Sequence, residues 1–203
     1  MIAFIGAGNM ARSLIAGLVK SGHPADRILA SDPLPAQLDT LASLGVNAAD
    51  SNSAAVADAD IVVLAVKPQV LGDVLSALSL RRDQLLISIA AGVPLASLEA
   101  WSDPAQPIVR CMPNTPALLG AGISGLLANS SVSTSQRAAA DRVLSAAGKT
   151  IWVSEEPLLD AVTAVSGSGP AYFFYLMEAM VEAGVKLGLD PEAATTLTLE
   201  TAY

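Results

Sequence analysis

The feature that most constrains the fold is the alternation, over residues 1–112, of short β-branched runs with segments of helical periodicity. The runs are continuously apolar, which is typical of strands covered on both faces of a sheet. Such alternation predicts a parallel sheet with right-handed crossovers. The predicted strands are IAFIG, RILAS, DIVVLAV, QLLISIA and PIVRCM, and the predicted helices are NMARSLIAGLVKSG, PAQLDTLASLG and QVLGDVLSAL.

Signals for the ends of elements divide the chain into two parts. Gly22 and Gly45 stand where helices end. AGISGLLA and KTIWV predict further, less regular strands around a helix from Thr134 to Ala147, which Gly148 ends. We therefore expect a Rossmann-like doubly wound α/β domain over residues 1–153.

After Glu155 the strand signal disappears, so we expect an all-α domain over residues 154–203. Helix breaks are predicted at SGSGP and at LGLDPEAA, where Asp190 suits an N-cap and Pro191 the first helical position. The final TTLTLETAY contains no Gly or Pro stop. We expect this second domain to be incomplete at its C-terminus.

Composition excludes several classes of partner. The net charge of −8, with 11 thinly spread Lys and Arg residues, argues against nucleic acid and anionic membrane surfaces. No apolar run reaches the roughly 18 residues of a spanning helix. Cys111 is the single cysteine, and MIAFIG lacks the features of a signal peptide, so we expect a cytoplasmic protein. The apolar share of 52% predicts a homo-oligomer, with apolar surface facing another subunit.

The stretch GAGNMA places Gly6, Gly8 and Ala11 in G-x-G-x-x-A spacing, after a strand and at the start of a helix. Gly6 permits a tight turn, Gly8 lets the backbone approach a pyrophosphate, and Ala11 allows close packing of helix on strand. The helix N-terminus supplies free N–H groups to phosphates. The motif predicts a dinucleotide site.

The residues at the end of the second predicted strand do not decide between NADH and NADPH. Asp32 is placed to accept hydrogen bonds from a ribose diol, which favours NADH, while its charge repels the 2′-phosphate of NADPH. Ser31 and Arg12 are alternatives that support a phosphate. The other reading of Asp32 is a helix cap ahead of Pro33.

Three further motifs follow predicted strands, where ligands of open α/β sheets bind. We expect Val66, Lys67 and Pro68 to line the nicotinamide side, with Lys67 either touching ligand or solvated. SIAAG offers small side chains that admit a flat ring. In RCMPNTP, Asn114 and Thr115 form a rigid polar corner or, alternatively, a plain turn.

The stretch SGSGPAYFF is interpreted as a site because an aromatic helix follows at once, with Pro170 in its first turn. We expect it to present unpaired N–H groups of a helix N-terminus, beside the hydroxyls of Ser166 and Ser168, to an anion or amide. Cys111 and His23 are not credible catalysts, and metal ligands are lacking.

In order and spacing, FIGAGNMA, AVKPQ, SIAAG, RCMPNTP and AVTAVSGSGPAYFF closely resemble pyrroline-5-carboxylate reductases, over the whole chain. The resemblance implies hydride transfer from NADPH or NADH to C5 of 1-pyrroline-5-carboxylate, giving L-proline. It also implies that the helical domain dimerises and that each active site is built from two chains.

The resemblance implies particular site residues. The matching cofactor positions are Gly6, Ala7, Gly8, Asn9, Met10, Ser31, Asp32, Asn52, Ala65, Val66, Lys67, Pro68, Ala90, Ala91 and Gly92. The candidates for the substrate pocket are Lys67, Asn114, Thr115, Ser166, Gly167, Ser168 and Gly169. No catalytic acid or base is assigned, because a protonated imine is already electrophilic and needs mainly orientation.

Two departures from the family pattern leave questions open. The Ser-Pro-Gly-Gly-Thr-type loop with which relatives grip the substrate carboxylate has no match here, so nucleotide binding without turnover is one expectation. Asp32 replaces a neutral residue of some relatives, which opposes an NADPH preference. The competing readings are a non-catalytic NAD(P)-binding interaction protein and a hydroxyacid dehydrogenase of the 3-hydroxyisobutyrate type.

Overall fold

The structure, a computed structural model, describes residues 1–202. Its strands are β1 (Ile2–Ile5), β2 (Ile28–Ser31), β3 (Asn47–Ala48), β4 (Ile61–Leu64), β5 (Leu85–Ser88), β6 (Ile108–Met112), β7 (Gly122–Ala128) and β8 (Gly148–Trp152). Its helices are α1 (Asn9–Lys20), α2 (Pro35–Ala42), α3 (Asn52–Ala57), α4 (Pro68–Ser76), α5 (Leu95–Trp101), α6 (Thr134–Leu144), α7 (Leu158–Val162), α8 (Gly169–Lys186) and α9 (Pro191–Ala202). Short 3₁₀ segments lie at Ala25–Arg27, Thr115–Leu119 and Ser145–Ala147.

All eight strands form one sheet in the order β3-β2-β1-β4-β5-β6-β7-β8. Strands β1 to β6 run parallel, as the alternation predicts. Strand β7 lies antiparallel to β6. Because only a short connection separates these two strands, the chain turns back beside β6 without a crossover. The strand order reverses direction at β1, next to β4, which makes the carboxyl edge there the expected place for a ligand.

Two apolar cores cover the two faces of the sheet, so the doubly wound prediction is confirmed. Alternate residues of β1 go to opposite cores: Phe4 packs in one and Ile5 in the other. The first core also takes residues from α1, α2 and α6. The second takes residues from α3, α4 and α5. The sequence did not predict α3, α5 or the short strand β3.

Local chemistry explains where the helices begin and end. Pro35 and Pro68 occupy the first turns of α2 and α4, where a missing N–H costs nothing. Gly22 and Gly45 have φ of 92° and 76°, the left-handed conformation that ends a helix. The predicted helix from Thr134 to Ala147 is α6 followed by a 3₁₀ turn.

The predicted helix break at SGSGP is confirmed, because α7 ends at Val162 and α8 begins at Gly169, with Pro170 in its first turn. A π-helical turn over Thr163–Gly167 joins α7 to α8, and Ser168 has helical φ and ψ of −88° and −22°. The N–H of Ser168 donates to the Thr163 carbonyl at 2.8 Å, so it is not a free helix-terminal group. The small residues of this stretch therefore lie in a compact π-helical junction between the two helices. The break at LGLDPEAA is confirmed, because the Asp190 side chain accepts from the Ala193 N–H at 2.9 Å.

The helical segment differs from the sheet in exposure. Gly169 is the buried residue of α8, whereas Tyr172, Phe173, Phe174 and Tyr175 are all more than half exposed. Among residues 1–202, no helix combines the length and apolar character needed to cross a bilayer.

Candidate active site

The glycine-rich turn between β1 and α1 has the geometry that its motif predicts. Gly6 has φ of 97°, and a Cβ there would lie 2.7 Å from the Ala65 carbonyl oxygen, so only glycine fits. A Cβ on Gly8 would meet nothing within 4 Å and would stand in open space before α1. No side chain caps the start of α1. The turn therefore offers an open helix N-terminus to a diphosphate.

Asp32, directly after β2, has both carboxylate oxygens engaged by backbone groups. One accepts from the Ala7 N–H at 2.8 Å, and the other accepts from the Leu34 N–H at 2.9 Å. It is not the N-cap of α2, which is Leu34. The carboxylate thus braces the glycine-rich turn against the end of β2.

Two other predicted polar residues pair within the chain. The Ser31 hydroxyl, which is buried, donates to the side-chain oxygen of Asn52 at 2.8 Å. Arg12 donates to the side-chain oxygen of Asn9. The first contact joins the end of β2 to the start of α3, so Ser31, Asp32 and Asn52 form one polar rim beside the turn.

The loops after β4 and β5 complete this edge of the sheet. The Ala65 N–H donates to the Ile5 carbonyl at 2.8 Å, which holds the loop after β4 against the end of β1. Lys67 is exposed and is the N-cap residue of α4. After β5, Ala90 is buried and Gly92 turns the chain with φ of 72°. The structure thus brings the predicted cofactor positions to one edge of the sheet.

The predicted substrate residues lie farther along the same edge. Asn114 is 8% exposed, and its carboxamide is bonded at both ends: Nδ2 donates to the Ser166 carbonyl at 3.1 Å, and Oδ1 accepts from the Ile123 N–H at 2.9 Å. A cavity of about 370 Å³ opens here. Its lining residues are Asn114, Pro116, Val165, Ser166, Gly169, Pro170, Phe173 and Phe174.

Not all of the predicted substrate residues reach this cavity. Thr115 is exposed outside it, and Gly167 packs on Met112, whose Cε would lie 2.9 Å from an added Cβ. The Ser166 hydroxyl donates to the Val162 carbonyl at 3.0 Å, within the helix. The cavity wall instead uses Phe173 and Phe174. These share a helix face with Pro170 by i, i+3 and i+4 spacing, which is the signal that sequence reasoning left unused.

An ion pair that sequence reasoning missed ties the helical segment to the sheet. Arg110 of β6 pairs with Glu156, and the same Glu156 oxygen accepts from the Leu95 N–H at 2.7 Å. The Arg110 side chain is only 12% exposed. Because Leu95 follows the loop of Ala90–Gly92, this carboxylate links the predicted cofactor loop to the start of α7.

The thiol and the two larger cavities lie apart from this chemistry. Burial raises the pKa of the Cys111 thiol to about 12, so it is inert at neutral pH. Larger cavities of about 530 and 570 Å³ both lie against α1, the first also against α6 and the second against the 3₁₀ segment Thr115–Leu119. Neither is lined by a predicted site residue. Over the described part of the chain, no three His, Cys, Asp or Glu side chains are grouped to hold a metal ion.

A doubly wound sheet with an open glycine-rich turn at the switch point defines a dinucleotide-binding oxidoreductase. Residues 1–92 match the family described as NADP oxidoreductase coenzyme F420-dependent, and residues 156–203 match pyrroline-5-carboxylate reductase dimerisation. The pyrroline-5-carboxylate reductase of Pseudomonas aeruginosa is 58% identical over 99% of this chain and 75% of its own length. The chain belongs to the pyrroline-5-carboxylate reductase family.

Solved structures agree with this assignment. A pyrroline-5-carboxylate reductase from Coxiella burnetii superposes with a TM-score of 0.94 at 42% identity, covering 98% of this chain and 76% of that one. The Plasmodium falciparum pyrroline carboxylate reductase with NADP bound has a TM-score of 0.87 at 31% identity, covering 98% of this chain and 74% of that one.

Proposed function

We propose that this protein reduces 1-pyrroline-5-carboxylate to L-proline, the last step of proline biosynthesis, with NADPH or NADH as the hydride donor. The observation that carries the proposal is the open start of α1 at Gly8, on the same sheet edge as the cavity beside Asn114. The identity of the substrate is inferred from membership of the reductase family.

The residues at this edge fit a nicotinamide dinucleotide. The turn at Gly6 and Gly8 gives backbone N–H groups to the diphosphate, and the polar rim of Ser31, Asp32 and Asn52 faces the adenosine ribose. The loops over 65–68 and 90–92 border the nicotinamide. When bound, the cofactor supplies the hydride.

The chain's own part in the reaction is mainly orientation. Hydride adds to C5 of the protonated imine, and the C=N π electrons become the lone pair of the ring nitrogen, so no further proton is needed for a neutral amine. The ring amine then takes a proton from solvent. The cavity walls of Phe173 and Phe174 hold the ring, while the backbone around Ser166 and Gly169 lies beside it.

Either cofactor remains compatible with the rim. Because Asp32 already accepts from the N–H groups of Ala7 and Leu34, its charge is partly neutralised where a 2′-phosphate would approach. It still offers lone pairs to a ribose diol. Comparison of KM for NADPH and NADH, before and after Asp32→Asn, measures its influence.

The protein assembles as a homo-oligomer through its exposed α8 and α9. We place the boundary between a dinucleotide-binding domain (1–153) and a helical dimerisation domain (154–203) after Val153. Support comes from the last strand, which ends at Trp152, and from the dimerisation match that begins at residue 156. We also propose a cytoplasmic location, which cell fractionation tests.

The deciding experiment is oxidation of NADPH or NADH by the purified protein with pyrroline-5-carboxylate. Stoichiometric formation of L-proline supports the proposal. Cofactor binding without consumption indicates a sensor, and oxidation of 3-hydroxyisobutyrate with NAD⁺ indicates a hydroxyacid dehydrogenase. Either of these outcomes, without proline formation, overturns it.

A matched variant tests the cofactor site itself. Gly8→Val places a side chain in open space at φ of −69°, so the fold is retained, yet the side chain blocks the diphosphate. We expect cofactor affinity to fall by roughly a hundredfold or more with unchanged thermal stability. Unchanged affinity would place the cofactor elsewhere.

A further inference from the structure

One carbonyl of the helical segment receives its hydrogen bond from outside the helix. In a regular α-helix the N–H of residue 170 donates to the carbonyl of residue 166. Pro170 has no N–H. The Ser166 carbonyl instead accepts from Asn114 Nδ2 at 3.1 Å. The Asn114 side chain thus replaces the donor that the proline removes.

The other end of the same carboxamide is fixed to the sheet. Pairing between β6 and β7 stops at Met112 and Gly125, two residues short of Ile123. Beyond that point the Ile123 N–H donates to Asn114 Oδ1 at 2.9 Å, so the side chain extends the ladder. With 8% exposure and both ends bonded, Asn114 is a rigid bridge from sheet to helix.

What the bridge holds is the π-helical turn over Thr163–Gly167. Such turns are rare and are found often at functional sites, because each inserts a residue that shifts the following helix. Ser166 lies within the turn, and the cavity is lined by Val165, Ser166, Gly169 and Pro170, in and just beyond the turn. The position of this wall therefore depends on where Asn114 holds the Ser166 carbonyl.

We propose that Asn114 is a positioning residue. It sets the π turn through the Ser166 carbonyl and thereby places the backbone of Ser166–Gly169 against the substrate. The inference rests on the proposed reductase function for its kinetic consequence, whereas its structural consequence is independent of turnover.

Asn114→Asp tests the bridge with an almost unchanged shape. One carboxylate oxygen still accepts from the Ile123 N–H, but the other now faces the Ser166 carbonyl, and two acceptors repel. A protonated carboxyl donates its O–H to that carbonyl and restores the bridge. Burial beside an acceptor raises the pKa of such a carboxyl, so the bridge is present at low pH and lost as pH rises through that pKa. No ionisable residue lines this cavity in the described chain.

Two measurements follow the variant. At about pH 8 we expect hydrogen exchange of residues 163–171 to become about tenfold faster than in the wild type, because the buried carbonyl loses its partner. KM for pyrroline-5-carboxylate rises about tenfold, while affinity for NADPH is unchanged. Near pH 5.5 both values return towards those of the wild type. If the wild type itself does not reduce pyrroline-5-carboxylate, the proposed function is wrong. The hydrogen-exchange measurement then still tests the positioning role of Asn114.

Asn129→Asp is the matched control. Asn129 makes a similar bridge at the opposite edge of the sheet: Oδ1 accepts from the Ile108 N–H at 3.1 Å, and Nδ2 donates to the Gln106 carbonyl and to Glu99 Oε1, each at 3.0 Å. This variant should lower thermal stability without changing KM or exchange over 163–171. An equal change in both variants, or none in Asn114→Asp at about pH 8, overturns the proposal.

A second substitution keeps the test decisive if Asn114→Asp folds poorly. Pro170→Ala restores an N–H that can donate to the Ser166 carbonyl within the helix. Added to Asn114→Asp, it should recover folding and slow the exchange of residues 163–171. Failure of the double variant to recover either property contradicts the assigned role.

Discussion

The sheet region and the helical region of this protein bury their apolar surfaces in different ways. Every residue of β1 is buried, and each face of the sheet is closed by helices from the same chain. In α8, by contrast, the residues from Tyr172 to Leu176 are each more than half exposed. Five consecutive helical residues point around the whole circumference, so the first half of α8 is apolar on all sides, whereas Glu178, Glu182 and Lys186 form a polar stripe farther along.

A helix with this character is stable in water only when other apolar surfaces cover it. The dimerisation match to residues 156–203 identifies the covering chain as a second copy. The comparison teaches that the sheet region owes its stability to contacts within the chain, whereas the helical region depends on assembly. Three predictions test that division.

The largest effect is expected from a charge on α8. Tyr175→Asp places a carboxylate at a side chain that is 75% exposed in the single chain. Burying an unpaired charge between subunits costs several kcal/mol, so the dissociation constant of the oligomer should rise by at least about a hundredfold. Light scattering over a dilution series measures it.

The control places the same charge on the sheet region. Val70 of α4 is 46% exposed, and Val70→Asp should leave the oligomer unchanged because α4 packs within its own domain. If Tyr175→Asp remains oligomeric at the concentrations where the wild type is, the division between the regions is wrong.

An intermediate effect is expected at the link between the regions. Glu156→Gln keeps an oxygen for the Leu95 N–H but removes the charge that pairs with Arg110. Because Arg110 is mostly buried, we expect the free energy of unfolding to fall by about 1–3 kcal/mol, measured by urea titration.

The exposed pair of Arg81 and Asp83 supplies the control for this link. Its two side chains are 45% and 77% exposed, so Asp83→Asn should cost about 0.5 kcal/mol or less. Equal losses from the two variants would mean that the link between sheet and helix contributes no more than a surface ion pair.

The smallest effect is a pH dependence confined to the sheet region. Burial, and then the N-terminal ammonium and Arg27, lower the pKa of His23 below its ordinary 6.5. The unfolded chain therefore binds this proton more tightly, and stability is lost as pH falls below about 6.5. His23→Gln should make that loss shallower in urea titrations at several pH values.

This pH effect also distinguishes the two regions. Because His23 lies in the sheet region, which does not depend on assembly, the effect should not vary with protein concentration. Lys20→Gln is the control: it removes a positive charge three positions before His23 and leaves the imidazole in place, so the slope should not change. If the effect of His23→Gln on the slope of unfolding free energy against pH grows on dilution, His23 acts through assembly instead.

Much of the fold was predictable because its signals are local. Strand and helix alternation gave the doubly wound sheet, and Gly6, Gly22 and Gly45 have the positive φ that their turns require. The start of α9 at Asp190 and Pro191 was also predictable, since capping is a contact between near neighbours.

The errors occurred where residues far apart in sequence decide the outcome. SGSGP predicts free N–H groups, yet the Ser168 N–H donates to the Thr163 carbonyl, and the Ser166 carbonyl accepts from Asn114, 52 residues away. The pairing of Arg110 with Glu156 joins two segments that carry no shared motif. The bracing role of Asp32 has no local signal either, because the Ala7 N–H that it accepts from lies 25 residues away.

The sequence by itself determined the nucleotide-binding architecture, since periodicity and glycine placement specify backbone conformation residue by residue. Only the tertiary structure decided how the helical segment meets the sheet edge. The reason is physical: the partner of a buried polar group is whichever donor or acceptor the completed fold brings within reach, and that choice is made by packing.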